Sequence, residues 1–330
     1  MPDLPALEVR PYQLLCAVCA LGRSVGAPPA AADPVAFLLR TVRADPGLPL
    51  RLVANVDSVY AYQNPGRGDD TPEGELFNEK RDLDILQRLG LVPGDARPAR
   101  ELLHRLLEAI PSSRGICGYG ESAGGPWRGC ARAGSGEYER GLALGLGAIV
   151  PLRRDGDKAA AKAATAPTLY HTRPLRLRPH HLMCMACFHG GRDDLTPIAE
   201  DNLFEAIDAI QQDPDLPITL VRGCCMICPP CSQYDPDSGL CVSPHAMSLR
   251  DQKKDLDVLQ LLGLGYGGTR PARELYGRLF AAVADTTQVC GYGDGRARAP
   301  EWSVCRGPEG SEPYRRARAA GLGLPGLRPE

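Results

Sequence analysis

The chain reads as a mixed α/β protein, mostly helical, built from two tandem copies of one small domain. Three observations predict this. The same segments recur in the same order in the two halves, which is the signature of an internal repeat. Helical periodicity dominates each half, with one short strand-like run. The 13 cysteines cluster instead of scattering, which points to a small domain organised around metal.

The repeat is explicit. Arg10 to Cys19 lines up with Arg178 to Cys187, and Asp82 to Leu91 with Asp255 to Leu264. Arg97-Pro98-Ala99-Arg100-Glu101-Leu102 recurs unchanged from Arg270 to Leu275. Cys117-Gly118-Tyr119-Gly120 recurs from Cys290 to Gly293, and Trp127 with Cys130 as Trp302 with Cys305. The expected domains are residues 1–152 and 171–330, with 153–170 between them. Arg153 to Pro167 is rich in Ala and charged residues, a composition that suits a solvated, partly helical linker.

Within the second copy the elements follow from local chemistry. Pro179 suits a first helical position, and Gly190-Gly191 suits that helix's end. Thr196-Pro197 opens a second helix with Leu203, Ile207 and Ile210 on one face. Ile218 to Val221 is a short apolar strand. Ser248 to Leu262 is a third helix stopped by Gly263, and Pro271 to Val283 a fourth with Leu275, Leu279 and Ala282 as its stripe. Glu312 to Ala320 is a short fifth.

Charge nearly cancels, with 38 Lys and Arg against 40 Asp and Glu. That argues against a protein that grips nucleic acid through phosphates. No run reaches the 18 or so apolar residues of a membrane helix. Leu14 to Leu21 resembles a signal-peptide core, but Asp3 and Glu8 spoil a basic leader and the segment recurs mid-chain. The expected location is therefore the cytoplasm, where thiols stay reduced and clustered cysteines signal metal or catalysis.

Subtracting one copy from the other sorts the cysteines. Cys16, Cys19, Cys117 and Cys130 all have counterparts, namely Cys184, Cys187, Cys290 and Cys305. Each set joins a C-x2-C pair on a helix to a distant pair, enough for a tetrahedral zinc site or the ligands of an iron–sulfur cluster. His180 precedes Cys184 by four residues, on the same helix face, and joins the candidate ligands. His180 and His181 could be ligands or a proton donor beside a cluster, the plain alternative being that one caps or packs and the other faces solvent. Cys224, Cys225, Cys228, Cys231 and Cys241 belong to the second copy alone. Val56, Asp57, Tyr60 and Gln63 stand at the positions of the first four. The run Cys225-x2-Cys228-x2-Cys231, with Cys241 as fourth, has the spacing that wraps a 4Fe–4S cubane, leaving Cys224 as a spare or alternative ligand.

Arg178-Pro179-His180-His181-Leu182-Met183-Cys184, then Cys228-Pro229-Pro230-Cys231 and Cys241, resembles an uncharacterised bacterial and archaeal family, domain of unknown function 1284. The likeness covers roughly 177–264. It implies a small single domain with an iron–sulfur cluster, and the first copy, with Tyr12-Gln13 for the two histidines, is a degenerate relative. If that family's cysteines form one site, Cys184 joins Cys228, Cys231 and Cys241. Subtraction instead keeps Cys184 with Cys187, Cys290 and Cys305.

Other features have plain readings. His189 and His245 are isolated surface histidines. Asp255 and Asp257, like Asp82 and Asp84, are expected near a helix start, favoured by its dipole. Arg270 and Arg273 are expected to pair with Glu274, as Arg97 and Arg100 with Glu101. Cys290-Gly291-Tyr292-Gly293 lacks the phosphate-loop pattern. The expected function is a cytoplasmic iron–sulfur protein in electron transfer or redox sensing, working with a partner redox protein. The alternative is a zinc-stabilised structural or interaction module. A thiol–disulfide enzyme using one C-x2-C pair is the third reading.

Overall fold

Leu7, Leu50 and Leu52, Leu175, Leu177, Ile218 and Leu220 alternate with partly exposed residues along four very short strands, and each of these side chains except that of Leu7 is fully buried. They seed two hydrophobic cores. The structure, a computed structural model, describes residues 6–23, 33–54, 71–118, 125–242, 247–290 and 312–327. The chain divides into two compact units, Met1–Leu152 and Arg153–Glu330.

In the first unit β1 (Leu7–Val9) leads into α1 (Pro11–Leu21) and α2 (Pro34–Ala44), then β2 (Pro49–Leu52). The two helices form the crossover that lets β2 lie parallel to β1. Next come α3 (Glu75–Leu89), β3 (Ala96–Pro98), α4 (Ala99–Ala109) and α5 (Glu137–Leu144), with β3 antiparallel to β2. The second unit opens with α6 (Asp155–Thr165) and α7 (Thr168–His171), then β4 (Leu175–Leu177), α8 (His181–Gly190), α9 (Leu203–Gln212) and β5 (Pro217–Leu220). A hairpin of β6 (Tyr234–Asp235) and β7 (Leu240–Cys241) follows, then α10 (Met247–Leu262), β8 (Thr269–Pro271), α11 (Ala272–Ala282), α12 (Thr287–Cys290) and α13 (Glu312–Ala319). Its three-stranded sheet repeats the parallel–antiparallel order: β4 beside β5, and β5 against β8.

The helices that matter for the cysteines are fixed by small residues. A Cβ at Gly22, just past α1, would collide with the Glu137 carbonyl on α5, and one at Gly141 with the Val18 carbonyl. A Cβ at Gly190, ending α8, would collide with the Pro313 carbonyl on α13. Each second helix is pinned by a buried tyrosine: Tyr138 donates to the Ile110 carbonyl at 2.8 Å, and Tyr314 to the Val283 carbonyl at 3.1 Å.

Several expectations change. Asp82 and Asp255 lie in the middle of α3 and α10, not at a helix start, and are 0% and 1% exposed. No helix dipole is at work there. Asp82 instead accepts from Arg10 Nε at 2.7 Å and the Tyr12 amide at 3.1 Å. Asp84 and Asp257 do sit outside, each paired with a lysine one turn back. Residues 196–202 are not helical: Asn202 is the cap residue of α9, Asp201 before it accepts from the Leu203 amide, and the helix starts six residues late. Nor does α6 stand free in solvent, since Lys162 binds the Asp201 carbonyl and Glu205, both at 2.6 Å. Arg270 and Arg97 do reach Glu274 and Glu101, at 3.4 and 3.6 Å, but Arg273 turns to Asp215 and the Pro325 carbonyl. His189 is half-buried instead of freely exposed, and His245 lies outside the described residues. Among those residues no helix is long and apolar enough to cross a membrane.

Candidate metal centres

The cysteine-rich loop of the second unit is wound as three successive tight turns. The Cys228 amide donates to the Cys225 carbonyl, Cys231 to Cys228, and Tyr234 to Cys231, at 2.9–3.1 Å. Such i→i+3 bonds give three residues per turn, so side chains three apart eclipse one another. The C-x2-C-x2-C spacing thus becomes a row of thiols on one side of the loop. The loop is tied down at both flanks. Met226 donates its amide to the Arg176 carbonyl, Asn202 binds the Met226 carbonyl, and Arg153 binds the carbonyls of Pro229 and Cys231.

That row faces the start of α8. His181 Nδ1 stands 3.1 Å from Cys225 Sγ. Among the described residues, His181, Cys225 and Cys228 form the one set of three whose ligand atoms all lie within 4.8 Å of one another. The Cys225 amide also donates to Cys228 Sγ, and the Gln233 amide to Cys231 Sγ, both at 3.4 Å. Thiol hydrogen bonds from Cys224 and Cys225 hold Cys228 far below the usual thiol range, making it the first of the row to ionise. Cys225 is pushed up by burial, and His181 is kept neutral by burial, the form that binds metal. Beside the row lies a cavity of about 260 Å³, onto which Cys184, Cys224, Cys228, Cys231 and Cys241 all open.

Buried charge surrounds this cavity. Arg178 pairs with Asp255 at 2.9 Å, and Asp255 holds His180, Nδ1 to Oδ1 2.6 Å and amide to Oδ1 3.0 Å. His180, expected as a ligand, therefore has its Nδ1 occupied. Burial keeps its ring neutral, its centroid stands 4.6 Å from that of His181, and the bond from Nδ1 to Asp255 leaves Nε2 as the nitrogen a metal could take. Lys254 reaches Asp251 at 2.7 Å. Arg250, 4% exposed, touches Asp251 with Nη2 at 3.4 Å, while its buried Nε and Nη1 have no hydrogen-bond partner. Arg178, Arg250 and Lys254 thus stand with Asp201, Asp251 and Asp255 around the site, and Arg250 keeps two buried nitrogens that call for an acceptor inside it.

In the first unit Cys16 and Cys19, a turn apart on α1, and Cys117 and Cys130 line one cavity of about 300 Å³. Cys117 and Cys130 are brought together by the Cys130 amide donating to the Cys117 carbonyl at 2.9 Å. Burial first, and the neighbouring thiols next, push Cys19 and Cys117 up to about 12, and Cys16 further. Unlike the trio of the second unit, no three of these sulfurs meet the 4.8 Å limit.

The four-cysteine set of the second unit is divided between two surroundings. Cys187 and Cys290 both act electrostatically on Tyr314, as Cys19 and Cys117 do on Tyr138. Cys184 opens instead onto the cavity shared with the loop cysteines. Cys305 lies outside the described residues, as do Val56, Asp57, Tyr60 and Gln63. Cys184 is therefore the residue that the two groupings of cysteines share. His181, expected with His180 as a candidate ligand or proton donor, is the histidine that the structure sets against the thiols. Its signal was its place beside His180 at the mouth of α8. No family model matches the chain, and no curated protein and no solved structure matches it.

Proposed function

We propose that the second unit is an iron–sulfur protein module, with the cluster in the cavity between α8, the loop 224–241 and α10, serving electron transfer or redox sensing. The observation that carries this reading is the convergence of five cysteines on one cavity of about 260 Å³ that also holds a buried, half-paired Arg250. Thiolates around a cubane must meet different irons, so they stand around a volume and not a point. Cys228, Cys231 and Cys241 are the first ligands, with Cys184 or Cys225 as the fourth and Cys224 in reserve. When bound, the cluster supplies a one-electron couple. The chain's own residues hold it, exclude water and offset its negative charge through Arg250, Lys254 and Arg178. The two units are copies of one domain, the first having done without the loop cysteines. A partner redox protein, in the reducing cytoplasm, would exchange the electron.

A second reading is favoured by one observation, the close trio of His181, Cys225 and Cys228. Ligands within 4.8 Å of one another suit a single tetrahedral ion with bonds of about 2.0–2.3 Å. A zinc ion there would make the unit a structural or interaction module.

Anaerobic purification, a visible spectrum, and iron, sulfide and zinc analysis separate the two. A brown protein with iron and sulfide in equal amounts, bleached by Cys228→Ser, supports the cluster. A colourless protein that loses zinc on the same substitution supports the module.

A further inference from the structure

The first unit has thiols that this reading leaves unused, and a buried cation beside them. Cys16, Cys19, Cys117 and Cys130 open onto one cavity of about 300 Å³, and no imidazole lines it. Arg81 lines the same cavity and is 3% exposed. Its guanidinium is held over Tyr12 at 4.2 Å and over Phe77 at 5.2 Å, and Nη1 reaches Glu73 at 3.7 Å. Its Nε and Nη2 are buried with no hydrogen-bond partner. A guanidinium does not give up its proton, so those two N–H groups require an acceptor. Neutral thiols accept weakly. Thiolates on a metal accept strongly, and four of them around a divalent ion or a cluster leave a net negative charge that Arg81 would offset.

We infer that Cys16, Cys19, Cys117 and Cys130 hold a metal centre of their own, a thiophilic ion or iron–sulfur cluster bound by four thiolates, with Arg81 as its buried N–H donor and counter-charge. The centre is separate from that of the second unit and does not depend on it. Binding would draw the sulfurs inward and release their protons to solvent. Arg81 is no metal ligand and acts through the thiolates, so it is a positioning residue.

The test uses the full chain. Metal and sulfide are measured in the parent and in Cys16→Ser, Cys117→Ser and Cys228→Ser. The expected result is that the first two each lose one centre's metal, while Cys228→Ser retains it. Loss of zinc identifies a single ion, and loss of iron with sulfide identifies a cluster. Either supports the proposal. Arg81→Met, which removes no ligand, should weaken retention against a chelator by about 10–100-fold, with Arg81→Lys recovering part of it. Should the cysteine variants fail to fold, alkylation of the parent decides: these four thiols should be protected as purified and become reactive after chelation. Folded Cys16→Ser and Cys117→Ser with the parent's full metal content, or thiols alkylated equally with and without chelator, would overturn the proposal.

Discussion

Arg178 and Asp255 meet at 2.9 Å in the interior, and the same carboxylate fixes His180, so one ion pair joins β4, α8 and α10 at the mouth of the cysteine cavity. Arg10 and Asp82 make the corresponding contact at 2.7 Å in the first unit, where Tyr12 replaces the histidine. Removing one partner of a buried pair leaves an uncompensated charge, which costs about 3–5 kcal/mol. Asp255→Ala should therefore destabilise the second unit by that amount in urea unfolding. Asp255→Asn, which keeps an acceptor for the His180 amide, should cost less. A loss under about 1 kcal/mol for the alanine variant would mean that water reaches Arg178.

If the loop holds a metal, as proposed, stripping it should act first there, because the turns from Cys225 to Tyr234 are short and would lose the ligand bonds that tie their thiols together. Hydrogen exchange at the amides of Cys228, Cys231 and Tyr234 should therefore rise at least tenfold after chelation, while α11, with Leu275, Tyr276 and Leu279 fully buried, should stay protected. Equal exchange in the loop before and after chelation would show that Arg153 and Asn202 hold it unaided.

Much of the frame was legible in the sequence. The repeated Arg-Pro at Arg10 and Arg178 and the repeated aspartates marked residues of equal standing, and the bounds of α10 followed from Gly263 and those of α11 from Pro271 and its apolar stripe. The strands β4 and β8 were not legible, because three residues carry no periodicity. The buried aspartates were misread because a carboxylate in a helix says nothing of its partner 70-odd positions away. The cysteines were legible as candidate ligands but not as groups. Which thiol meets which depends on the turn geometry of the loop and on the side of α8 that Cys184 faces.

The glycines at the ends of α1 and α8 give a sharp test of that frame. Gly22 and Gly190 each bring a backbone against a carbonyl of a partner helix, so no side chain fits without moving the helix. Gly190→Ala should cost about 1–3 kcal/mol, the usual price of overpacking. Gly156→Ala, where a Cβ meets nothing within 4 Å, should be neutral or slightly stabilising as a helical position. Thermal melts of the two variants check the contrast. Equal melting temperatures would show that α8 and α13 separate freely.

Asp201 supplies a prediction in pH. It accepts from the first amide of α9, and burial pushes its carboxyl up to about 6, with that hydrogen bond and Lys162 opposing and Glu205 adding to the shift. A carboxyl raised above its unfolded value of 3.8 holds its proton more tightly in the folded chain. Its contribution is thus most favourable below pH 3.8 and is lost as pH rises through about 6. Asparagine keeps that acceptor and cannot ionise. Asp201→Asn should therefore match the parent near pH 4 and exceed it by about 1–2 kcal/mol at pH 7.5, the full linkage value being reduced because the residue is partly exposed. Urea midpoints across that range measure it. A variant less stable than the parent at pH 7.5 would show that the Lys162 ammonium, 2.6 Å from the Asp201 carbonyl, outweighs burial and keeps the carboxylate charged.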